Sequence, residues 1–405
     1  MKNLSRYILI AIAVLSFMVA LPGLYWLAFE KPISAPFIMY SCIDDDFVSI
    51  HDGVRMDRKG NELTLDEYEQ KLPLLNMRQL LMSGTMPDTI KGVEMDPQEV
   101  NLHRSFFRFK PATMHAPKPG LYPMIESESG RAQLEMPKDF FRISGRMEFV
   151  DAASNEVNEE KTIMFTAVLQ KNGFRFPAKM IEGIPTTRKS CDEGYLVIDD
   201  NDALFHVKMI EGKPYVYKVD LPEGMKFSYI NCVDFKDRKY YAYLFTTTNE
   251  LYILTQDDYE LVRWSVDNLN PPTEEIRIYG DLFNYNVIST GENYMNVTIL
   301  DKNYARVTEY NETWESREES KQGRIFSLLF PAQISLTDDN SSFRNLYMAV
   351  SPGFAWLILN LVLVAGQFVI YYRRKLKNRS RYFDMAIIAL TGIYGFIAVN
   401  FFPNK

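Results

Sequence analysis

The sequence predicts a mostly β extracytoplasmic domain, propeller-like in its repeats, carried on three transmembrane α-helices. Three observations lead there. Uncharged apolar runs crowd both ends of the chain, basic residues sit on one side of those runs, and the middle is written in short β runs joined by polar turns. Charged residues make up 24% of the 405, with a formal net charge of −7. That balance offers no basic face and excludes a nucleic-acid partner.

The first apolar run, Tyr7 to Phe29, carries no charge. About 20 apolar residues suffice to cross roughly 30 Å of hydrocarbon. Lys2 and Arg6 would also suit the start of a cleaved signal peptide, but Val19-Ala20-Leu21-Pro22 is a poor cleavage site and no lipobox precedes Cys42. Residues 1–29 are therefore read as an uncleaved anchor. Two further runs, Met348 to Tyr372 and Met385 to Phe402, make a C-terminal transmembrane hairpin over residues 346–405. The alternative for that pair is a buried hairpin in a globular core. Asn360, Gln367 and Asn400 are the polar residues of these spans and read as helix-to-helix hydrogen-bonding groups, with Asp384 at the inner edge.

Sidedness follows from the basic residues. Lys2 and Arg6 precede the first run, and Arg373, Arg374, Lys375, Lys377, Arg379 and Arg381 separate the other two. Both groups belong in the cytoplasm by the positive-inside rule. Three crossings then leave the N-terminus inside, the C-terminus outside, and the long middle segment outside. Tyr25, Trp26, Trp356, Tyr371, Tyr372, Tyr382 and Phe383 fall where interfacial aromatic belts lie.

Residues 30–139 read as an irregular, partly helical stretch. Thr64 and Glu67 have capping-box spacing, Leu65, Tyr68, Leu72 and Leu75 follow at helical intervals, Pro73 should split the helix, and Gly84 should end it. From 140 to 345 the pattern is β-rich. Phe140–Ile143, Met147–Val150 and Thr162–Leu169 read as strands, and three strand–turn–strand units follow around Asp199–Asp202, Thr246–Asn249 and Asp301–Asn303. Their loose recurrence near 50 residues fits propeller blades; a β-sandwich with evenly placed hairpins fits it too.

No catalytic constellation is apparent, and no cofactor or metal is predicted. Cys191 and Cys232 each precede a β unit and could bridge; with Cys42 they could equally be unpaired thiols. His51, His103, His115 and His206 lack metal-site spacing. Asp44-Asp45-Asp46 and Asp199-Asp200-Asn201-Asp202 lack the layout of a cation loop and read as turns. There is no Gly-x-Ser-x-Gly and no phosphate-cradling loop. Arg188, Lys189, Asp192 and Glu193, flanking Ser190, form the most distinctive polar stretch, either a contact surface or a solvated loop.

The run Gly183-Ile184-Pro185-Thr186-Thr187-Arg188-Lys189-Ser190, continuing through Asp192-Glu193-Gly194-Tyr195, with Gly120-Leu121-Tyr122-Pro123 and Leu134-Glu135-Met136-Pro137, resembles an uncharacterised family of Bacteroidetes membrane-anchored periplasmic proteins, a domain of unknown function. The resemblance implies a bacterial inner-membrane protein facing the periplasm, whose relatives lie beside ABC-transporter components; it carries no active site. The expected role is a non-enzymatic accessory or scaffold subunit of a transporter or envelope complex, with the lipid bilayer and other membrane subunits as partners. Two other roles stay open: a tethered periplasmic hydrolase of glycan or lipid, its carboxylate pair hidden among the acidic residues, and a periplasmic ligand-binding receptor.

Overall fold

The computed structural model describes residues 2–29, 35–338, 340–375 and 380–403. Leu376 to Arg379 of the basic link lie outside the described residues. The chain forms two compact units. One comprises Met1–Ala35, Glu292–Tyr294 and Thr313–Lys405, and opens with helix α1 (Lys2–Phe29); the other comprises Pro36–Gly291 and Met295–Glu312.

The second unit is mostly β, and its antiparallel sheets succeed one another along the chain. Sheet A holds Phe37–Ser41, Asp46–His51 and Val54–Asp57. β structure thus begins well before residue 140, because the apolar run Phe37-Ile38-Met39-Tyr40 is a short buried strand between polar turns. Helices α2 (Leu65–Lys71) and α3 (Met77–Ser83) follow. Thr64 caps α2 with the expected capping box, Pro73 falls in the break, and Gly84 ends α3 at φ 70°. Sheet B is Tyr122–Met124, Asp139–Ile143 and Met147–Asp151. Sheet C is Met180–Gly183, Tyr195–Ile198, Leu204–Ile210 and Lys213–Lys218. Sheet D is Phe227–Cys232, Tyr240–Thr246, Leu251–Thr255 and Leu261–Arg263. Sheet E is Glu275–Gly280, Tyr285–Thr290, Tyr294–Leu300 and Arg306–Thr313, with Ser105–Phe109 added along Glu275–Gly280.

The expected strand at Thr162–Leu169 is instead part of helix α4 (Glu159–Lys171). Asn158 caps it through a bond from the Lys161 amide, Glu159 and Glu160 occupy the first turn, and Thr162, Phe165 and Leu169 form its buried stripe. The stripe has helical spacing; the run of β-branched and aromatic residues concealed it.

Neighbouring sheets are joined by alternation along their central strands. Tyr195 and Val197 of sheet C enter a core with Phe141 and Phe149 of sheet B and Phe165 of α4. Leu196 and Ile198, the residues between, enter a second core with Ile230, Ala242 and Leu244 of sheet D. Tyr243 and Phe245 of sheet D turn the other way, to Phe107, Phe109, Ile276, Ile278 and Val287 of sheet E. Each such side chain stabilises the fold by about 1.5–3 kcal/mol. The hairpin turns repeat in detail. Asp199 Oδ1 accepts from the Asn201 and Ala203 amides at 2.8 and 2.9 Å, and Asp301 Oδ1 from those of Asn303 and Ala305 at 2.8 and 3.0 Å. Thr246 Oγ1 accepts from Glu250 at 3.0 Å in the same role. The fourth residue of each turn, Asp202, Asn249 or Tyr304, is left-handed at φ 63–64°.

The other unit contains α1, α5 (Lys321–Leu329), a strand pair Ala332–Ser335 and Tyr347–Val350, α6 (Ala355–Arg373), α7 (Ser380–Thr391) and α8 (Ile393–Phe401). Among the described residues, two helices are long and apolar enough to cross a membrane, Leu4–Phe29 and Ala355–Arg373. Only 22% and 17% of their most apolar windows are buried, whereas a core helix of a soluble protein would be mostly covered.

The third crossing expected from Met385 to Phe402 does not form. That run breaks at Gly392 (φ 61°, ψ −129°) into α7 and α8, of 12 and 9 residues. At 1.5 Å per residue neither reaches roughly 30 Å. A Cβ at Gly392 would lie 2.3 Å from Asn360 Oδ1, so only glycine fits this bend. The two pieces fold back on each other. Arg6 grips Asp384 of α7 through two bonds of 2.8 and 3.0 Å, and its Nε donates to the Phe402 carbonyl at 2.8 Å. Tyr371 donates to the same carboxylate at 2.6 Å, and Asp384 is wholly buried. Gln367 and Asn400 pair at 2.8 Å, and Asn360 donates to the Ala389 carbonyl at 3.0 Å. Both ends of the α7–α8 hairpin therefore lie beside the start of α1, and the expectation of chain ends on opposite sides is corrected. Reporters fused at the N- and C-termini should respond in one compartment; signals from opposite compartments would overturn the hairpin.

Candidate functional site

The distinctive polar stretch occupies the loop between the first two strands of sheet C. Its base is the pair Gly183↔Tyr195. A Cβ on Gly183 would lie 2.5 Å from the Tyr195 ring, and one on Gly194 (φ 64°) would lie 2.3 Å from the Val207 carbonyl oxygen, so the loop closes only on glycines. Tyr195 donates to the Pro123 carbonyl at 2.6 Å and packs edge-on against Tyr122. Ser127 donates to Asp192 at 2.6 Å, and the Thr187 hydroxyl lies 3.8 Å from Met136 Sδ. The three stretches that carried the resemblance thus meet around one loop.

The expected contact surface is mostly turned inward. Lys189 and Asp192 pair at 2.5 Å with side chains only 3% and 2% exposed, and Lys189 also donates to the Ile184 carbonyl at 2.6 Å. Glu193 accepts from Lys208 at 2.6 Å and from Arg238, which hold its carboxyl below the usual range although burial opposes them. Arg188 alone of the four is exposed. The local fold explains the inversion: charges three residues apart close on each other as the loop packs against sheets B and D. The Ser190 hydroxyl donates to the Asp234 carbonyl at 2.6 Å, a bond to the strand connection of sheet D.

Cys191, Cys232 and His206 line one small cavity, whose volume of about 10 Å³ holds no more than a water. Of the two alternatives for Cys191 and Cys232, a bridge or unpaired thiols, this structure has the second, and Cys42 is also a free thiol. Burial pushes the Cys191 thiol up, and the Cys42 and Cys232 thiols up to about 12. Reactive cysteines need the opposite shift. His206 is buried and bridges two elements. It bonds the Glu193 carbonyl through Nε2, and Nδ1 lies 2.8 Å from the Tyr259 hydroxyl, itself 3.0 Å from that of Tyr215. Burial lowers its pKa to about 4. Nothing in the sequence singles out His206 for this role, because one partner, Glu193, lies in the preceding loop and the other, Tyr259, on a later strand connection.

The other candidates are dispersed. Asp44 pairs with Lys71 at 2.6 Å, Asp45 with Lys91, and Asp46 with Arg58 at 3.2 Å. His103 bonds Glu99 at 2.9 Å. Among the described residues no three His, Cys, Asp or Glu side chains group as metal ligands. Apart from Arg188, the ionisable groups of the loop are engaged with one another and with neighbouring strands and connections.

A mostly β domain with potential membrane helices outside it is the class these features define. Residues 37–300 match the family described as Domain of unknown function (DUF4857), and the chain belongs to that family. The matched span nearly coincides with the β unit. No curated protein matches the sequence. Among solved structures, the dihydro-heme d1 dehydrogenase NirN in complex with DHE is similar at 8% identity, with a TM-score of 0.23, over 56% of each chain. The chain thus spans about half the length of that protein, and a likeness so distant carries no functional argument.

Two predictions follow from the loop. Replacing Lys189 by Met or Asp192 by Leu singly strands a buried charge and should cost about 3–5 kcal/mol, while the double replacement should cost far less; additive losses in denaturant unfolding would refute the pairing. His206 stays neutral in the folded domain down to about pH 4, against an ordinary value of 6.5, so the unfolded chain binds the extra proton between those values. Its stabilisation is complete above pH 6.5 and drains away as pH falls towards 4, by on the order of 3 kcal/mol. His206→Gln should flatten that part of the stability–pH curve, and an unchanged curve would remove His206 as the cause.

Proposed function

We propose that this protein is a non-enzymatic accessory or scaffold subunit, anchored in the bacterial inner membrane, that works in a transporter or envelope complex. Its β domain, a propeller-like stack of sheets, stands in the periplasm in this reading, and components of an ABC-type transporter are its partners. The observation that carries the reading is the loop Gly183–Tyr195. Its lysine, carboxylates and serine are engaged in bonds within the loop and to the neighbouring strands, and the cavity beneath it is too small for a substrate. Such an arrangement favours a rigid presenting surface over a reactive cleft.

The membrane unit supports the same role. Arg6, Asp384, Tyr371, Gln367 and Asn400 satisfy one another inside the bundle, which favours a fixed module over an ion path. The outward faces of α1 and α6 remain apolar and uncovered, suited to lateral packing against another membrane protein. The basic residues Lys2, Arg6 and Arg373–Lys375 favour the cytoplasm for the end where the chain termini meet. The resemblance to Bacteroidetes proteins associated with ABC-transporter components supplies the partner class. Full-length tagged protein extracted in mild detergent should bring down ABC-type membrane subunits at near-stoichiometric level; recovery of the protein alone would overturn the proposal.

A further inference from the structure

The segment from α5 to the start of α6 has a depth fixed by the two candidate spans. Trp26 stands 20 residues along α1 from Arg6, about 30 Å at the helical rise and about the thickness of a bilayer's hydrocarbon. Tyr25 donates to the Gln322 carbonyl at 2.8 Å, and Phe326 stacks on Trp26 at 4.9 Å, so α5 lies level with that end of α1. Tyr371, near the far end of α6, shares Asp384 with Arg6, so the start of α6 falls on the same level. Lys321 to Phe354 therefore lie at the membrane boundary farther from Arg6, where interfacial aromatics gather.

What this segment exposes is largely apolar. On α5 the uncovered side begins with Lys321 and Arg324 and continues with Ile325 and Leu328, while Phe326 is buried. The helix passes from charge to hydrocarbon along its own length. In the strand pair Ile334 faces Met348, and Ala332 faces Val350. Opposed residues share one face of a sheet. Ile334 presses that face into the bundle core with Tyr394, and Met348 and Val350, 64% and 65% exposed, carry it past the bundle's edge. Phe354 is 77% exposed. These side chains continue the exposed apolar faces of α1 and α6, at Leu24 and Ile358, so the cover of the spans reaches them as well. Full immersion is excluded. The hairpin turn is polar, with Asp338 accepting from the Asn340 amide at 2.7 Å. A two-stranded sheet also has open edges, whose backbone groups need water or headgroups.

We infer that α5 and the strand pair form a platform in the lipid interface, with Ile325, Leu328, Met348, Val350 and Phe354 among the upper acyl chains and Lys321 and Arg324 at phosphate level. Long basic side chains reach headgroups from such a depth while their stems stay in apolar surroundings. The inference rests on α1 and α6 spanning a bilayer and needs no protein partner. The test uses full-length protein in phosphatidylethanolamine–phosphatidylglycerol nanodiscs, carrying a nitroxide on one introduced cysteine at a time. Cys191→Ala and Cys232→Ala remove the half-buried thiols, and Cys42 is buried. Collisions with oxygen report acyl surroundings; collisions with a soluble nickel chelate report water. Met82→Cys, exposed on α3, gives the aqueous reference, and Leu361→Cys, exposed on α6, the hydrocarbon reference. Leu328→Cys and Met348→Cys should lose most of the nickel collisions seen at Met82 and gain oxygen collisions, at a depth shallower than Leu361. Val350→Cys, on the same face as Met348, repeats the measurement independently. Nickel collisions at these positions equal to those at Met82 would overturn the inference. Labels reached by neither reagent would overturn it too, by revealing a protein cover such as a second copy. Free nickel collisions at Leu361 would instead remove the spanning reading beneath it.

Discussion

A strand covered on both faces must place every side chain in a core, and that constraint governs the β domain. In sheets C and D, odd and even residues of one strand belong to different cores, as Tyr195 and Val197 do against Leu196 and Ile198. A slip of one residue would exchange the two sets and misfit both interfaces. The recurring turn holds the register: a side-chain oxygen at its first position caps the amide four residues on, while the fourth residue adopts left-handed geometry. Asp199 and Asp301 thereby fix the geometry of their turns.

The loop at the head of sheet C extends the same logic to polar groups. Burying a charge is costly unless a partner of opposite sign comes with it. Lys189 and Asp192 enter together, and Glu193 carries two cations into a partly buried position. Tyr195, Ser127 and Thr187 link this loop to the stretches around Pro123 and Met136. The distinctive residues of this loop are in this sense the fastening of neighbouring sheets, and their chemistry is that of matched charge and donated hydroxyls.

Much of this was legible in the sequence where one local rule operates at a time. The capping box at Thr64, the stop at Gly84 and the three hairpins needed only short windows. The stretch 159–171 misled because β-branched and aromatic residues hid a helical stripe. Residues 385–402 misled because hydropathy averages over Gly392 and cannot register a bend that packs closely against Asn360 of another helix. Arg188, Lys189, Asp192 and Glu193 were recognisable as a group, but whether a charge points out or pairs inward depends on Ser127, Lys208 and Arg238, which meet it only in the folded chain.

The α7–α8 bend also orders the making of the protein. Residue 6 leaves the ribosome long before residue 384, so during most of synthesis the Arg6 guanidinium is without the carboxylate that buries it. When the α7–α8 hairpin packs, it seats Asp384 on Arg6 and supplies the missing charge.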